Sequence, residues 1–300
     1  MNPAPAISRR IQIKNIVFAT DFSNIAAAAI PFAAEIAKSF GAKLFAVHAK
    51  APENYALPPS ELWPAANTAL EESTIELRRS LYNRYPGIES EVLISEGGVW
   101  GVVEAVAREK NADLIVLGTS GRRGIGKFIL GSVAEEILRQ AICPVLTVGP
   151  YSPTEPPKEA KFKKIVYATN FSDGSPAAAA YAVALAQEYQ ARLTLLHVIE
   201  HPHAGELLRP DEMEAAAIER LRSLVPRDAA LWCEPKAVVL QGSPADKILE
   251  AARSENADLI VMGVRESQGV TRATHFSGAV AHQVVSNATC PVLTVRSRAW

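Results

Sequence analysis

Two segments of the chain combine residue types that can hold a phosphorylated ligand. Gly118 to Ser132 reads GTSGRRGIGKFILGS. Its glycines let a backbone approach a ligand, and Ser132 with the amides beside it offers an anion site where a helix begins. Arg122, Arg123 and Lys127 put positive charge in the same loop. Asp21, in IVFATDFS (Ile16 to Ser23), is a carboxylate suited to binding magnesium or orienting a water. A solvated basic loop accounts for the composition of the first segment equally well. Gly121 to Lys127 satisfies GxxxxGK, but the next residue is Phe128, where a P-loop needs the Ser or Thr that binds magnesium. The loop also follows a late strand, so a P-loop NTPase is a poor fit, and no GxGxxG fingerprint stands beside it.

These residues need a scaffold that brings them together. Apolar runs of strand length alternate with longer stretches of helical period, the pattern of a parallel sheet with crossover helices. In the first half the expected strands are Ile13 to Thr20, Lys43 to Ala49, Glu91 to Ser95, Asp113 to Gly118 and Val145 to Val148. LIVLG and LIVMG are continuously apolar, as parallel strands covered on both faces should be. Ser23 and Asn24 are candidate caps for a helix ending at Gly41, Ser132 for one running to Gln140, and Ser175 with Pro176 for the corresponding helix of the second half. Pro31 should kink the first helix. Open α/β sheets bind ligands in the crevice at the carboxyl ends of strands, which is where Asp21 and the glycine loop fall.

The chain repeats itself. IVFATDFS recurs as IVYATNFS (Ile165 to Ser172), NADLIVLG (Asn111 to Gly118) as NADLIVMG (Asn256 to Gly263), and CPVLTV at Cys143 recurs at Cys290. The offsets are nearly constant at half the chain length, so one domain is written twice. The expected boundaries are residues 1–149 and 161–300, separated by the proline-rich stretch PYSPTEPPKEA (150–160), which favours a semi-rigid extended path. A net charge of −1 gives no excess for a nucleic acid or an anionic membrane surface. Three widely spaced cysteines without a CxxC pattern suit a reducing compartment. With no signal-peptide run and no apolar stretch approaching about 20 residues, a cytoplasmic protein is expected.

Gly118-x2-Gly121-x9-Gly131-Ser132, following NADLIVLG and preceding CPVLTV, resembles the nucleotide-binding signature of the universal stress protein family. VFATDFS and the pair His48 and Ala49 match that family's first two strands. The resemblance covers the first half fully and, by length and order, the second. It implies two tandem open parallel five-stranded sheets with helices on both faces, of the adenine nucleotide alpha hydrolase-like kind with strand order 3-2-1-4-5. It also implies an ATP or other adenine-nucleotide site, with Mg held through Asp21. Carried onto this chain, Asp21 with Thr20 is the acidic group near adenosine, and Ala19 and Ala49 line the adenine pocket. Gly118, Gly121 and Arg122 pass by ribose and phosphates; Gly131, Ser132 and Val133 hold phosphate. Ala19 and Ala49 stand where the family often has Pro and Val. The second half departs further, with Asn170 for the Asp, Glu266 and Phe276 for two glycines, and only Gly263 and Ser277 retained. A carboxylate and a bulky ring at a phosphate site predict that this half does not bind a nucleoside triphosphate.

Other residues have plainer explanations. His48 and His197 read as hydrogen-bonded strand-end histidines, Cys143 and Cys290 as small buried residues, and His201 and His203 as a solvated pair without a third metal ligand. Glu71, Glu72, Glu76, Arg78 and Arg79 read as a solvated helix face, and Pro52 to Pro64 as an ordered loop or a lid. The expected function is a stress-response regulatory module binding adenine nucleotide in its first half. Slow ATP hydrolysis or phosphoryl transfer, and a nucleotide-free interaction scaffold, are the alternatives; no positioned general base favours an enzyme. The CPVLTV strands should pair in an intramolecular pseudo-dimer, which would cover two sheet edges, and a homodimer of whole chains is compatible with the family pattern.

Overall fold

The computed structural model describes residues 11–50, 63–119, 130–152, 162–172, 174–200, 210–226, 229, 233, 235–264 and 280–296. In the first half, β1 (Asn15–Ala19), α1 (Asn24–Phe40), β2 (Lys43–Lys50), α2 (Trp63–Arg84), β3 (Ser90–Glu96), α3 (Val99–Glu109), β4 (Leu114–Gly118), α4 (Ser132–Gln140) and β5 (Val145–Val148) follow the expected alternation. The second half repeats it as β6 (Lys164–Thr169), α5 (Ser175–Tyr189), β7 (Arg192–Ile199), α6 (Pro210–Ser223), β8 (Lys236–Gln241), α7 (Pro244–Ser254), β9 (Leu259–Val264), α8 (Val280–Asn287) and β10 (Val292–Arg296).

Within each half the strands are parallel in the order 3-2-1-4-5, and the two five-stranded sheets join edge to edge as β3-β2-β1-β4-β5-β10-β9-β6-β7-β8. The join is antiparallel, with Leu146 opposite Leu293 and Val292 opposite Thr147. Two equivalent threonines stitch it: Thr147 Oγ1 donates to Val292 O (3.1 Å) and Thr294 Oγ1 to Val145 O (3.3 Å). Strands that would otherwise present open edges therefore satisfy each other. β1, β4, β5 and β10 are buried along almost their whole length, which accounts for their predominantly apolar sequences.

Alternate side chains of each strand enter two cores, one on each face. Phe18, Leu44, Leu146 and Phe162 pack with α1 and α5 on one face. Val17, Val47, Val103 and Ile137 pack with α3 and α4 on the other. The Asp of each NAD motif holds backbone: Asp113 Oδ2 accepts the amides of Lys14 and Asn15, and Asp258 Oδ2 those of Lys163 and Lys164. These bonds tie the start of the first strand of each half to the start of its fourth.

Ser23 caps α1 by accepting the Ala26 amide (3.2 Å), and Gly41 closes the helix at φ 64°. Ser132 and Ser175 are not N-caps as expected. Each is the first helical residue, preceded by Gly131 and Gly174 as caps. The Gly131 amide is held by the Thr119 carbonyl (2.8 Å), which fixes the entry of the chain one residue earlier. α1 is a single helical span through Pro31, which is buried. Glu71, Glu72, Glu76, Arg78 and Arg79 of α2 are all exposed, as a solvated helix face requires. Cys143, Cys233 and Cys290 are free and buried, and burial pushes the Cys143 and Cys290 thiols up to about 12. Such thiols are poor nucleophiles and poor ligands at neutral pH.

Candidate functional site

The turn after β1 is built from its own side chains. Thr20 Oγ1 accepts the Phe22 amide (3.0 Å) and Asp21 Oδ1 accepts the Ser23 amide (2.9 Å). Phe22 is held at φ 59°, a left-handed conformation uncommon for a bulky residue. The Thr20 amide bonds to Val47 O (2.9 Å), and His48 donates from Nδ1 to Thr20 O (2.9 Å), so the end of β2 is fastened to this turn. The second half reproduces the bonds made by the side chains. Thr169 Oγ1 accepts the Phe171 amide, Asn170 Oδ1 accepts the Ser172 amide (3.1 Å), His197 Nδ1 donates to Thr169 O (2.8 Å), and Phe171 sits at φ 58°. An amide oxygen and a carboxylate oxygen serve the turn alike. Its construction thus does not require the charge that Asp21 carries and Asn170 lacks.

Both histidines are therefore strand-end residues with a backbone partner, packed against the phenylalanine of the same turn at ring-centroid distances of 4.7 and 4.4 Å. In the second half Arg220 lies over the Phe171 ring at 4.3 Å. Burial, with Arg220 as a smaller contribution, lowers the His197 pKa despite the opposing bond to Thr169.

Gly118 stands beside this turn because α1 leaves it no room for a side chain. A Cβ there would lie 3.0 Å from Ile25 O and 3.1 Å from Ile25 C, in the first turn of α1. Gly263 is constrained in the same way by Gly174, at 3.2 Å from both its C and its O. The first glycine of the motif thus has a packing reason in both halves that involves no ligand. From Gly118 the chain continues to Thr119, whose amide bonds to Val148 O (3.0 Å) and whose carbonyl accepts the Gly131 amide. Through that bond Gly131, and Ser132 and Val133 after it, stand beside the end of β4.

The structure thus brings Thr20, Asp21, Gly118, Gly131, Ser132 and Val133 to one end of the sheet. Ala19 and Ala49 belong to the core of the α3 and α4 face, together with Leu130. Gly131, the N-cap of α4, has no side chain to engage the first amides of the helix, and Val133 is partly exposed. Gly121, Arg122, Arg123 and Lys127 lie outside the described residues, as do Glu266, Phe276, Ser277, His201, His203 and residues 52–62.

One component is not foreseen from the sequence. α3 also begins at this end of the sheet, behind a glycine doublet: Gly97 adopts φ 146° and donates to Lys50 O (3.0 Å), and Gly98 is an N-cap without a side-chain bond. Trp100, in its first turn, packs partly buried against the same core as Ala19 and Ala49. The doublet EGG directly after a strand is the available signal. Among the described residues no group of three or more His, Cys, Asp or Glu side chains could hold a metal ion. No helix among them is long and apolar enough to cross a membrane.

A duplicated parallel α/β sheet with turns and helix N-termini gathered at its strand ends defines a class of tandem α/β proteins. The sequence model of the universal stress protein family matches the chain twice, at residues 12–149 and 161–296. The chain belongs to the universal stress protein family as a tandem, two-domain member. A universal stress protein of Thermus aquaticus is 42% identical over 139 residues, covering 45% of this chain and 99% of its own. One from Methanocaldococcus jannaschii is 33% identical over 138 residues, covering 45% of this chain and 81% of its own. Each relative thus matches about half of this chain. A crystal structure of a universal stress protein from Archaeoglobus fulgidus shares the fold over nearly the whole molecule, with a TM-score of 0.71 over 96% of this chain and 100% of that one at 20% identity.

Proposed function

We propose that the chain is a cytoplasmic regulatory module that binds one adenine nucleotide, ATP with Mg in the leading form, in its first domain. The domains run over residues 1–149 and 161–300, joined by 150–160. The observation that carries this reading is the meeting of two features at Gly118: the Asp21 turn on one side and the start of α4 on the other. A helix N-terminus whose cap residue is a glycine favours phosphate through its amides and its dipole, and Ser132 adds a hydroxyl there. Arg122 supports the phosphates from the adjoining loop, and Gly121 lets the backbone approach them. The base would be received beside Ala19 and Ala49, a reading supported by the apolar surroundings they share with Trp100 and Leu130. Asp21 is the residue placed to meet magnesium carried with the nucleotide; the ion's chemistry there would be to neutralise and orient the phosphates.

The second domain keeps the turn but not the charge, and its sequence carries Glu266 and Phe276 at phosphate positions. It acts as the structural partner of the first domain, not as a second nucleotide site. Denaturing the purified protein and identifying any released nucleotide tests the proposal, followed by calorimetric titration of the stripped protein with ATP and Mg. Binding of ATP that weakens in Ser132→Ala and Asp21→Ala supports it. A protein that is purified free of nucleotide and also takes up none contradicts it.

A further inference from the structure

The two ends of the β5–β10 join are equivalent through the duplication but are built differently. On one side Arg296, the last residue of β10, donates from Nη2 to Leu138 O (2.7 Å) and also to Arg139 O, in the last turn of α4. The last carbonyls of a helix lack intrahelical partners and carry the negative end of its dipole, so a guanidinium suits them. On the other side the position equivalent to Arg296 is Gly149, and Val285 of α8 is equivalent to Leu138. A Cβ placed on Gly149 would have Ala288 O at 3.5 Å, Val285 O at 3.6 Å and Thr119 Oγ1 at 3.8 Å. Three oxygens from two domains therefore converge on one residue that has no side chain.

Three residues next to these groups, in space or along the chain, carry deeply buried hydroxyls: Thr119, Ser152 and Ser286 are 1%, 4% and 7% exposed. None has a hydrogen-bond partner among the described residues. Ser286 directly follows Val285, and the Ser152 amide bonds to Gly149 O (3.1 Å). Buried hydroxyls are rarely left unpaired. The carbonyls can only accept, whereas the hydroxyls can donate. A water molecule, with two hydrogens to give and two lone pairs to receive, complements that set. A hard divalent cation is a poor match for neutral oxygens without a carboxylate. A monovalent cation would engage the carbonyls but leave the hydroxyl protons without acceptors.

We propose that this corner binds ordered water joining the Thr119 and Ser286 hydroxyls to the Val285 and Ala288 carbonyls, in the role that the Arg296 guanidinium performs at the equivalent corner. The water ties α8 of the second domain to Thr119, and Thr119 carries the bond that closes the base of the glycine loop in the first. This joint does not depend on nucleotide binding, so it stands or falls separately from the proposed function.

A high-resolution crystal structure of the full chain, with a parallel rubidium soak, is the test. Water within about 2.5–3.0 Å of both Thr119 Oγ1 and Ser286 Oγ is the expected result. That density should disappear in a Thr119→Val, Ser286→Ala double variant whose fold is otherwise unchanged. An anomalous rubidium peak at the corner would assign it to a monovalent cation and overturn the proposal. Direct bonds from both hydroxyls to protein acceptors, without intervening solvent, would overturn it as well.

Discussion

Replacing Gly118 by Ala would put a methyl group 3.0 Å from Ile25 O and 3.1 Å from Ile25 C and Cγ2. Two of these three atoms are backbone in the first turn of α1, so the helix must give way. Overpacking of this kind costs typically about 1–3 kcal/mol. Against it stands the smaller unfolded-state entropy of alanine, worth about 0.4–1 kcal/mol where the native backbone tolerates a side chain. The φ of Gly118 is outside the left-handed region, so that gain applies. The balance is a net loss of roughly 0.5–2 kcal/mol. Gly263→Ala meets Gly174 at 3.2 Å and should come out closer to neutral. Gly149→Ala meets nothing nearer than 3.5 Å, so it clashes with no atom and should lose only what the water proposed at that corner contributes. Urea denaturation of the three variants beside the parent gives the order directly. Because the α1 turn follows Asp21, Gly118→Ala should also weaken ATP binding, while Gly263→Ala should not. A Gly118→Ala protein as stable as the parent, or one more stable than Gly263→Ala, would refute the argument that α1 dictates this glycine.

Four further outcomes rest on the same structure. Asp21→Asn should keep the stability of the parent to within about 0.5 kcal/mol, since Asn170 makes the same turn, and should weaken ATP binding in the presence of Mg; a loss of about 1 kcal/mol or more in denaturation would contradict the first half. Thr147→Val and Thr294→Val should each cost about 1 kcal/mol by removing a buried bond across the join, and two neutral results would show that the stitches add nothing. The folded pKa of His197 lies below 6.5, so the unfolded chain takes up its proton first. Its contribution to stability is then complete above pH 6.5 and is lost as the pH falls through the folded value; His197→Gln should flatten the fall in melting temperature between neutral and mildly acidic pH, and an unchanged slope would contradict this. Cys143, Cys233 and Cys290 should resist a thiol reagent in the native protein and react fully after unfolding, and rapid labelling of any of them before unfolding would show that burial does not protect it.

The fold is legible in the sequence because its signals are repeated and local. Continuous apolar runs mark the buried strands, and the duplicated CPVLTV segments point to strands that need each other's edges; β5 and β10 pair as that reasoning requires. A local pattern places the caps one residue late, at Ser132 and Ser175, because the true cap is set by a distant partner: the Thr119 carbonyl on Gly131 is invisible to short-range spacing. The candidate site is legible as a set of residue types, but not as a division of labour. Sequence alone cannot separate the Asp21 oxygen that makes the turn from the charge that the turn does not need, nor show that Gly118 answers to Ile25. The α3 start with Gly98 and Trp100 escapes a sequence reading because a glycine doublet carries no chemistry until the sheet places it beside Ala49. The difference between Arg296 and Gly149 at the join acquires meaning only once the pseudo-symmetry is drawn in space.

The most direct test of the proposed function is the stoichiometry of ATP binding to the nucleotide-stripped full chain, measured by calorimetry with Mg present. One equivalent per chain is expected, reduced sharply by Ser132→Ala and unaffected by Ser277→Ala. No binding, or two equivalents of similar affinity, would contradict the assignment of a single nucleotide site to the first domain.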